Sequence, residues 1–481
     1  MTDSYSFTAR DWLIVPSALA LALLWREVFP VSELIDLALG VGGPALGISA
    51  VTAAIWAAVL LFLGKRARWN RFNAALAAGA ILLAAACAVC GNPGVRAVNC
   101  LMILGASALA FFSLSGCQAH PLTDARCAAE TLALSFRALF TCWGKPFRAL
   151  AALRGGGSGR LKGVLLGAAC ALPALLLCGA LLASADPVFN GLFGSLSDWF
   201  FGLDGLSVFW DIFDTLFFTL CFFSAIYFVL HSPAGPETAA DADGAERRQS
   251  ATPYATALVL LCLLYALFAA IQFEYLFGGA EAAAMEGGWA EYARSGFTQL
   301  VCVTALNLCA LLLCSAMAGH SRAVRCLCLL LAALTAVVLA SAFWRMRLYI
   351  LAYGLSVRRA MTLWAMAFIL CCLVLASVKS LRPAFRFWPW FAALALAGWI
   401  AFSFSGVDAR VADWNVDAYL SGSLAGIDLE YLSGLSPDAV PALERLYAAE
   451  PSDELGREIE LLRGRRPEQW ADWCLSYALN R

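Results

Sequence analysis

The chain has 481 residues, 62% hydrophobic and 14% charged, with a formal net charge of −1 and a mean hydropathy of +0.75. A soluble globular chain runs nearer 45–50% apolar and about 25% charged, so a water-soluble fold is excluded. The near-neutral balance also lacks the basic footprint of a nucleic-acid binder.

The apolar residues fall in blocks long enough to cross the hydrocarbon as helices, which gives an all-α, polytopic transmembrane helix bundle of about 11 spans. The first residues lack a basic n-region and a small-residue cleavage site. The run 12–25 is therefore read as a first span, not as a cleaved signal. Residues 31–43 form an interfacial or re-entrant piece ahead of a span at 46–63. Lys65, Arg66, Arg68 and Arg71, with Trp69 as an aromatic anchor, mark a cytoplasmic loop. Spans at 72–89 and 97–114, joined by the tight turn GNPG at 91–94, complete an N-terminal four-span segment, 1–116. Residues 117–162 form a cytoplasmic loop carrying Arg126, Arg137, Lys145, Arg148, Arg154, Arg160 and Lys162, with a GGGSG hinge at 155–159. Within it, 128–140 has the pattern of an amphipathic helix on the membrane surface.

A seven-span membrane core, 163–404, follows, with spans at 164–183, 208–230, 254–277, 297–317, 324–343, 360–378 and 388–404. Residues 186–206 hold no Lys or Arg and are crowded with aromatics, the composition of an interfacial helix on the outer face. The loop 232–253 is polar and reads as disordered. From 405 to 481 the composition turns soluble. Pro437 takes the first position of a helix, and Val440, Leu443 and Tyr447 continue it at helical spacing. A second helix, 452–463, and a Trp-rich end follow. A tail of about 75 residues is near the lower limit for an independent core, so it is expected to dock on the membrane domain.

An odd span count with a cytoplasmic N-terminus puts the tail on the extracytoplasmic side. Arg-over-Lys usage and high Ala content suggest a bacterial inner membrane. The same alternation places SAFWRMRLYILAYGLSVRR, 341–359, outside, although it carries Arg345, Arg347, Arg358 and Arg359. Either one upstream span is miscounted or these arginines are held outside for a reason. Arg345, Tyr349 and Tyr353 recur at i, i+4, i+8 and share one helix face. Arg294, Glu274 and Asp186 fall on the same side of the membrane. One reading is a ligand site for an anionic small molecule or lipid headgroup, built from Arg294, Arg345, Arg347, Tyr349 and Arg359 with Glu274 and Asp186, because arginine forks match carboxylate and phosphate oxygens. The other is that these charges pair with one another and with lipid phosphate, fixing the helix ends. The pairing reading leads.

Asp211 and Asp214, one turn apart, fit a snorkelling helix end or a cation or proton site. Asn307 and Gln299 fit interhelical hydrogen bonding. His120, His231 and His320 all map to the cytoplasmic edge without metal-site spacing. Cys87 and Cys90 spell C-x-x-C in an Ala-rich span, with no βαβ context for redox use. No phosphate-binding loop, H-E-x-x-H or G-x-S-x-G occurs, so no enzyme activity, cofactor or metal is expected. The expected partners are the lipid bilayer, the anionic ligand and, in an alternative signalling or scaffold reading, a protein bound by the tail.

Four phrases occur together and in order: SADPVF at 184–189, FEYLFGG with EYARSGFTQL at 273–279 and 291–300, the stretch 341–359, and WNVDAYLSG with DLEYLSGLSPDAVPAL between 414 and 443. In this combination the chain resembles the bacterial integral-membrane family DUF 4173, allied to DUF 4153. The matched positions are Tyr292, Arg294, Gly296, Phe297, Arg345, Met346, Tyr349, Gly354, Leu355 and Arg359. The chain departs from the pattern at Trp414, where a basic residue is usual. The resemblance implies a polytopic bacterial membrane protein and supplies no activity.

Overall fold

Helix signals in the sequence act where they stand. Thr8 caps the first helix by accepting from the Asp11 N–H, while Asp11 accepts back from Thr8, and Asn70 and Asn73 do the same for the fourth. Asn92 caps the fifth, with Pro93 at its first position. In the computed structural model, which describes residues 7–153, 191, 205–232, 250–277, 297–318, 321–467 and 469–479, there is no strand among the described residues. The helices are α1 (Ala9–Val28), α2 (Val31–Leu39), α3 (Leu46–Leu63), α4 (Arg71–Val89), α5 (Pro93–Ser115), α6 (Arg126–Phe140) and α7 (Gly144–Leu153). They continue with α8 (Gly205–His231), α9 (Ala251–Phe277), α10 (Phe297–Ala318), α11 (Arg322–Tyr353), α12 (Val357–Leu381) and α13 (Phe387–Ser403). The tail holds α14 (Val407–Leu420), α15 (Leu429–Ser433), α16 (Val440–Ala449), α17 (Asp453–Gly464) and α18 (Ser476–Leu479).

Eight described helices are long and apolar enough to cross a membrane, and two bent pairs raise the number to as many as 10. The bent pairs are α1 with α2, at 66°, and α13 with α14, at 61°. The eleventh expected span, 164–183, lies outside the described residues, as does the expected interfacial stretch 186–206 apart from positions 191, 205 and 206. This is a polytopic transmembrane helix bundle. Its outward faces are apolar, as lipid contact requires: Leu260, Leu263, Leu264 and Leu267 of α9 are all exposed, while Leu258 and Cys262 face the protein.

The spans alternate in direction, so the chain's turns collect at two ends. At the first end Arg10 donates to the Phe62 carbonyl and, at 3.3 Å, to that of Leu61. Arg68 N donates to the Leu114 carbonyl at 2.9 Å, and His231 Nε2 lies 3.2 Å from Asp11. Lys65, Arg66 and Arg71 belong to the same end, which we call the basic end. At the opposite end Arg96 donates to the Gly43 carbonyl at 2.6 Å, and Arg26 pairs with Asp211 at 3.2 Å. The turn between α11 and α12 is here too, because α11 and α12 are antiparallel and α12 ends at Lys379 near the basic end.

Helix α6 does not lie across the basic end. It runs along the half of α8 nearer the basic end: Ser224, fully buried, donates to the Ala138 carbonyl at 2.6 Å and accepts from Cys142 N at 3.0 Å. Trp143 then meets Phe217 edge-on at 5.7 Å. Phe217 precedes the end of α8 by four turns, about 21 Å at 1.5 Å per residue. The cause is a stripe at helical spacing, Cys127, Thr131, Leu134 and Ala138, all buried, with Ser224 satisfying the backbone groups at the stripe's end.

Candidate functional site

The tail closes the end opposite the basic loops. Ala45 N donates to the Ala471 carbonyl at 2.8 Å, Leu46 N to that of Trp473 at 3.1 Å, and Leu475 N to that of Ala88 at 2.8 Å. Val411, Val416, Leu443 and Leu462 of the tail share one core with Val28, Ile48, Leu83 and Val95 of the spans. Burying that many aliphatic side chains, at roughly 1.5–3 kcal/mol each, makes the tail a fixed lid.

Two polar clasps give the lid its register. The first is Asp408, 2% exposed, which accepts from Asn92 Nδ2 at 2.8 Å and from Ser436 N at 3.1 Å. It ties the α4–α5 turn to the helical turn that opens α16. Burial raises its carboxyl above the usual aspartate value, while the bonds from Ser436 and Asn92 oppose the shift. The second is Asn415. Its Oδ1 accepts from Leu355 N at 2.9 Å and its Nδ2 donates to the Leu355 carbonyl at 2.8 Å and to that of Val411 at 2.7 Å. The side-chain amide thus pairs with residue 355 as a neighbouring strand would. Beside it, the Tyr431 hydroxyl accepts from Val357 N at 2.8 Å. Gly354, at φ 78°, allows the close approach.

This second clasp sits on the arginine-rich stretch. Arg359 Nη1 donates to the Tyr353 carbonyl at 2.9 Å and to that of Gly354, closing the end of α11. Its guanidinium carbon lies 4.1 Å from the centre of the Tyr349 ring, and Tyr349 meets Tyr353 at 5.2 Å. Between the α11–α12 turn and the tail lies a cleft of ≈ 440 Å³, lined by Arg359, Tyr353, Ser356, Asn415, Asp428 and Tyr431 among others. Burial raises the Tyr431 phenol above its usual range, so it stays protonated at neutral pH. Its oxygen accepts from Val357, which leaves its own proton to be donated.

The expected site residues therefore separate. Tyr349 and Arg359 come together at the cleft. Arg347 instead points outward over the Trp344 ring, 5.3 Å from its centre, and Arg345 is half-buried one turn before Tyr349. The backbone of Glu274 falls in the last turn of α9, and its side chain is not described. Asp186 and Arg294 lie outside the described residues. Asn415, Asp428 and Tyr431 are additions from the tail, and their only sequence signal is the two phrases WNVDAY and DLEYLSG.

The other polar candidates have local partners. Asp211 pairs with Arg26, and with Asp214, Phe29, Phe218 and Trp470 the two line a second cleft of ≈ 590 Å³. Asn307 donates to Thr335 Oγ1 at 3.1 Å between α10 and α11. His120 faces Glu130 at 3.1 Å, His231 faces Asp11, and His320 is outside the described residues. Cys87 accepts from Asn99 at 3.6 Å. Among the described residues no three His, Cys, Asp or Glu gather as a metal site.

Fold and site together define a multi-pass helical membrane protein whose helical tail is clasped onto one end of the bundle. The chain belongs to the family described as Domain of unknown function (DUF4153), whose model matches residues 52–446, from the third helix into the tail. No curated protein and no solved structure matches it.

Proposed function

We propose that this membrane protein binds an anionic group, a lipid headgroup or a small anion, in the cleft between the α11–α12 turn and the tail, and so handles or transports it. The observation that carries this reading is Arg359. One nitrogen of its guanidinium closes α11, its central carbon lies over the Tyr349 ring, and the group lines a cleft shared with Tyr431 and Ser356. A guanidinium with Nη2 and Nε still to spend is suited to phosphate or carboxylate oxygens, which it takes up in pairs. The positive-inside bias assigns the basic end to the cytoplasm. With that orientation the N-terminus is cytoplasmic in a bacterial inner membrane, and the cleft and tail are extracytoplasmic.

The test is titration of the detergent-purified protein with phosphatidylglycerol, read by native mass spectrometry. Arg359→Gln is expected to weaken binding at least about tenfold, or 1.4 kcal/mol. Arg359→Lys, which keeps the charge and loses the fork, should fall between. Unchanged binding by an Arg359→Gln protein that elutes as the wild type does sinks the proposal.

A further inference from the structure

We infer that the group taken up at this cleft is a zwitterion, a phosphate ester carrying a primary ammonium, and that its source is an aminophospholipid headgroup. The inference rests on the anion-binding reading above and adds the second charge. The cleft has walls of opposite sign: Arg359 comes from the membrane side and Asp428 from the tail. Asp428 is exposed, and its Oδ1 caps α15 by accepting from Tyr431 N at 2.9 Å. A carboxylate has about four acceptor positions, so one capping bond leaves room for an ammonium. A cleft meant for a bare anion gains nothing from a carboxylate in its wall, since like charge repels the ligand.

Size and surroundings agree with this ligand. At about 30 Å³ per water, ≈ 440 Å³ is the space of about fifteen waters, ample for a headgroup. Apolar Leu355, Ile427 and Leu432 share the walls with the polar groups. The cleft lies where α11 ends and α12 begins, at one end of two helices long and apolar enough to cross a membrane. The adjoining helix α11 presents exposed Phe343, Trp344 and Leu351 on one outward face, with Arg347 among them. Aromatic and basic residues together on a helix end mark the interfacial zone. That favours a lipid-borne ligand over a soluble one.

Asn is as good an N-cap as Asp, so Asp428→Asn removes the charge and keeps the bond to Tyr431. Phosphatidylethanolamine and phosphatidylglycerol share the phosphate and differ in the ammonium, so titration of the full chain with each isolates the second charge. The wild type is expected to prefer phosphatidylethanolamine about fivefold, the order of a partly exposed ion pair. Asp428→Asn should erase that preference through weaker phosphatidylethanolamine binding, with phosphatidylglycerol binding equal or tighter. Asp428→Ser, another capping residue, should behave alike. A preference that survives both substitutions, or a wild type that does not discriminate, overturns the zwitterion and leaves the anion reading intact if Arg359→Gln still weakens binding. Loss of the Arg359 effect overturns both. Free phosphoethanolamine is the source control: competition at equal concentration would overturn the lipid source, and at least about a hundredfold weaker competition is expected if acyl chains contribute.

Discussion

Replacing Gly354 by alanine is expected to release the tail from the α11–α12 turn, lowering the stability of the docked state by about 4 kcal/mol. Two physical terms add. The backbone here has φ 78° and ψ 174°, a region essentially reserved for glycine, where a side chain costs about 1–3 kcal/mol. The new Cβ would also fall well inside contact distance of Asn415 Oδ1. Most side-chain ends could swing aside, but this one is held by its bonds to Leu355 N, the Leu355 carbonyl and the Val411 carbonyl. Moving it strands buried backbone groups at about 1–3 kcal/mol. Limited proteolysis of the tail and thermal unfolding in detergent both read the loss. A double-mutant cycle assigns the cause. In an Asn415→Ala background, itself destabilised by about 2 kcal/mol through the unpaired Leu355 groups, Gly354→Ala should cost only the backbone strain. An equal cost in both backgrounds would mean that the Gly354–Asn415 contact is not what the glycine protects.

What the sequence discloses and what it hides divide along physical lines. Spans are legible because crossing hydrocarbon demands about 20 apolar residues in a row, a local property. The caps at Thr8, Asn70 and Asn92 are equally local, since each acts within three residues of itself. The position of the 341–359 stretch at the end away from the basic loops also follows from counting spans. The site's membership does not. Four arginines close in sequence look like a single cluster, yet helix geometry sends Arg347 out over Trp344 and the turn at Gly354 sends Arg359 back onto Tyr349. The clasp is less legible still. Asn415 lies 60 residues beyond Leu355, and nothing local in WNVDAY marks one amide as the partner of a distant backbone. The phrases around 341–359 and 414–443 meet in the fold as the two halves of one joint.

Helix α6 teaches the converse. Its sequence has the amphipathic pattern of a surface helix, and the pattern is correct about which residues are buried. What it cannot specify is the partner. The same stripe would serve against a headgroup layer or against another helix, and Ser224, two turns before the end of α8, decides for the helix by pairing with the Ala138 carbonyl and Cys142 N–H.

The second large effect concerns Asp408. Asp408→Ala should destabilise tail docking by about 3 kcal/mol, because it strands the Asn92 side-chain amide and the Ser436 N–H in a dry site. Asp408→Asn keeps an acceptor and should cost less, although its own amide cannot face two incoming donors. The pH dependence has a definite sign. Burial raises the carboxyl's pKa in the docked state above the ordinary 3.8, so the docked state binds a proton that the released state gives up. Stability from this group is therefore greatest below 3.8 and declines as pH rises through the raised value, beyond which it is flat. The expected result is that the tail's resistance to an acid-tolerant protease, followed from pH 4 upward, falls across that window in the wild type. The same measurement on Asp408→Asn should lose this slope. A slope that persists unchanged in Asp408→Asn would assign the pH dependence to other groups and remove Asp408 as the proton-linked clasp.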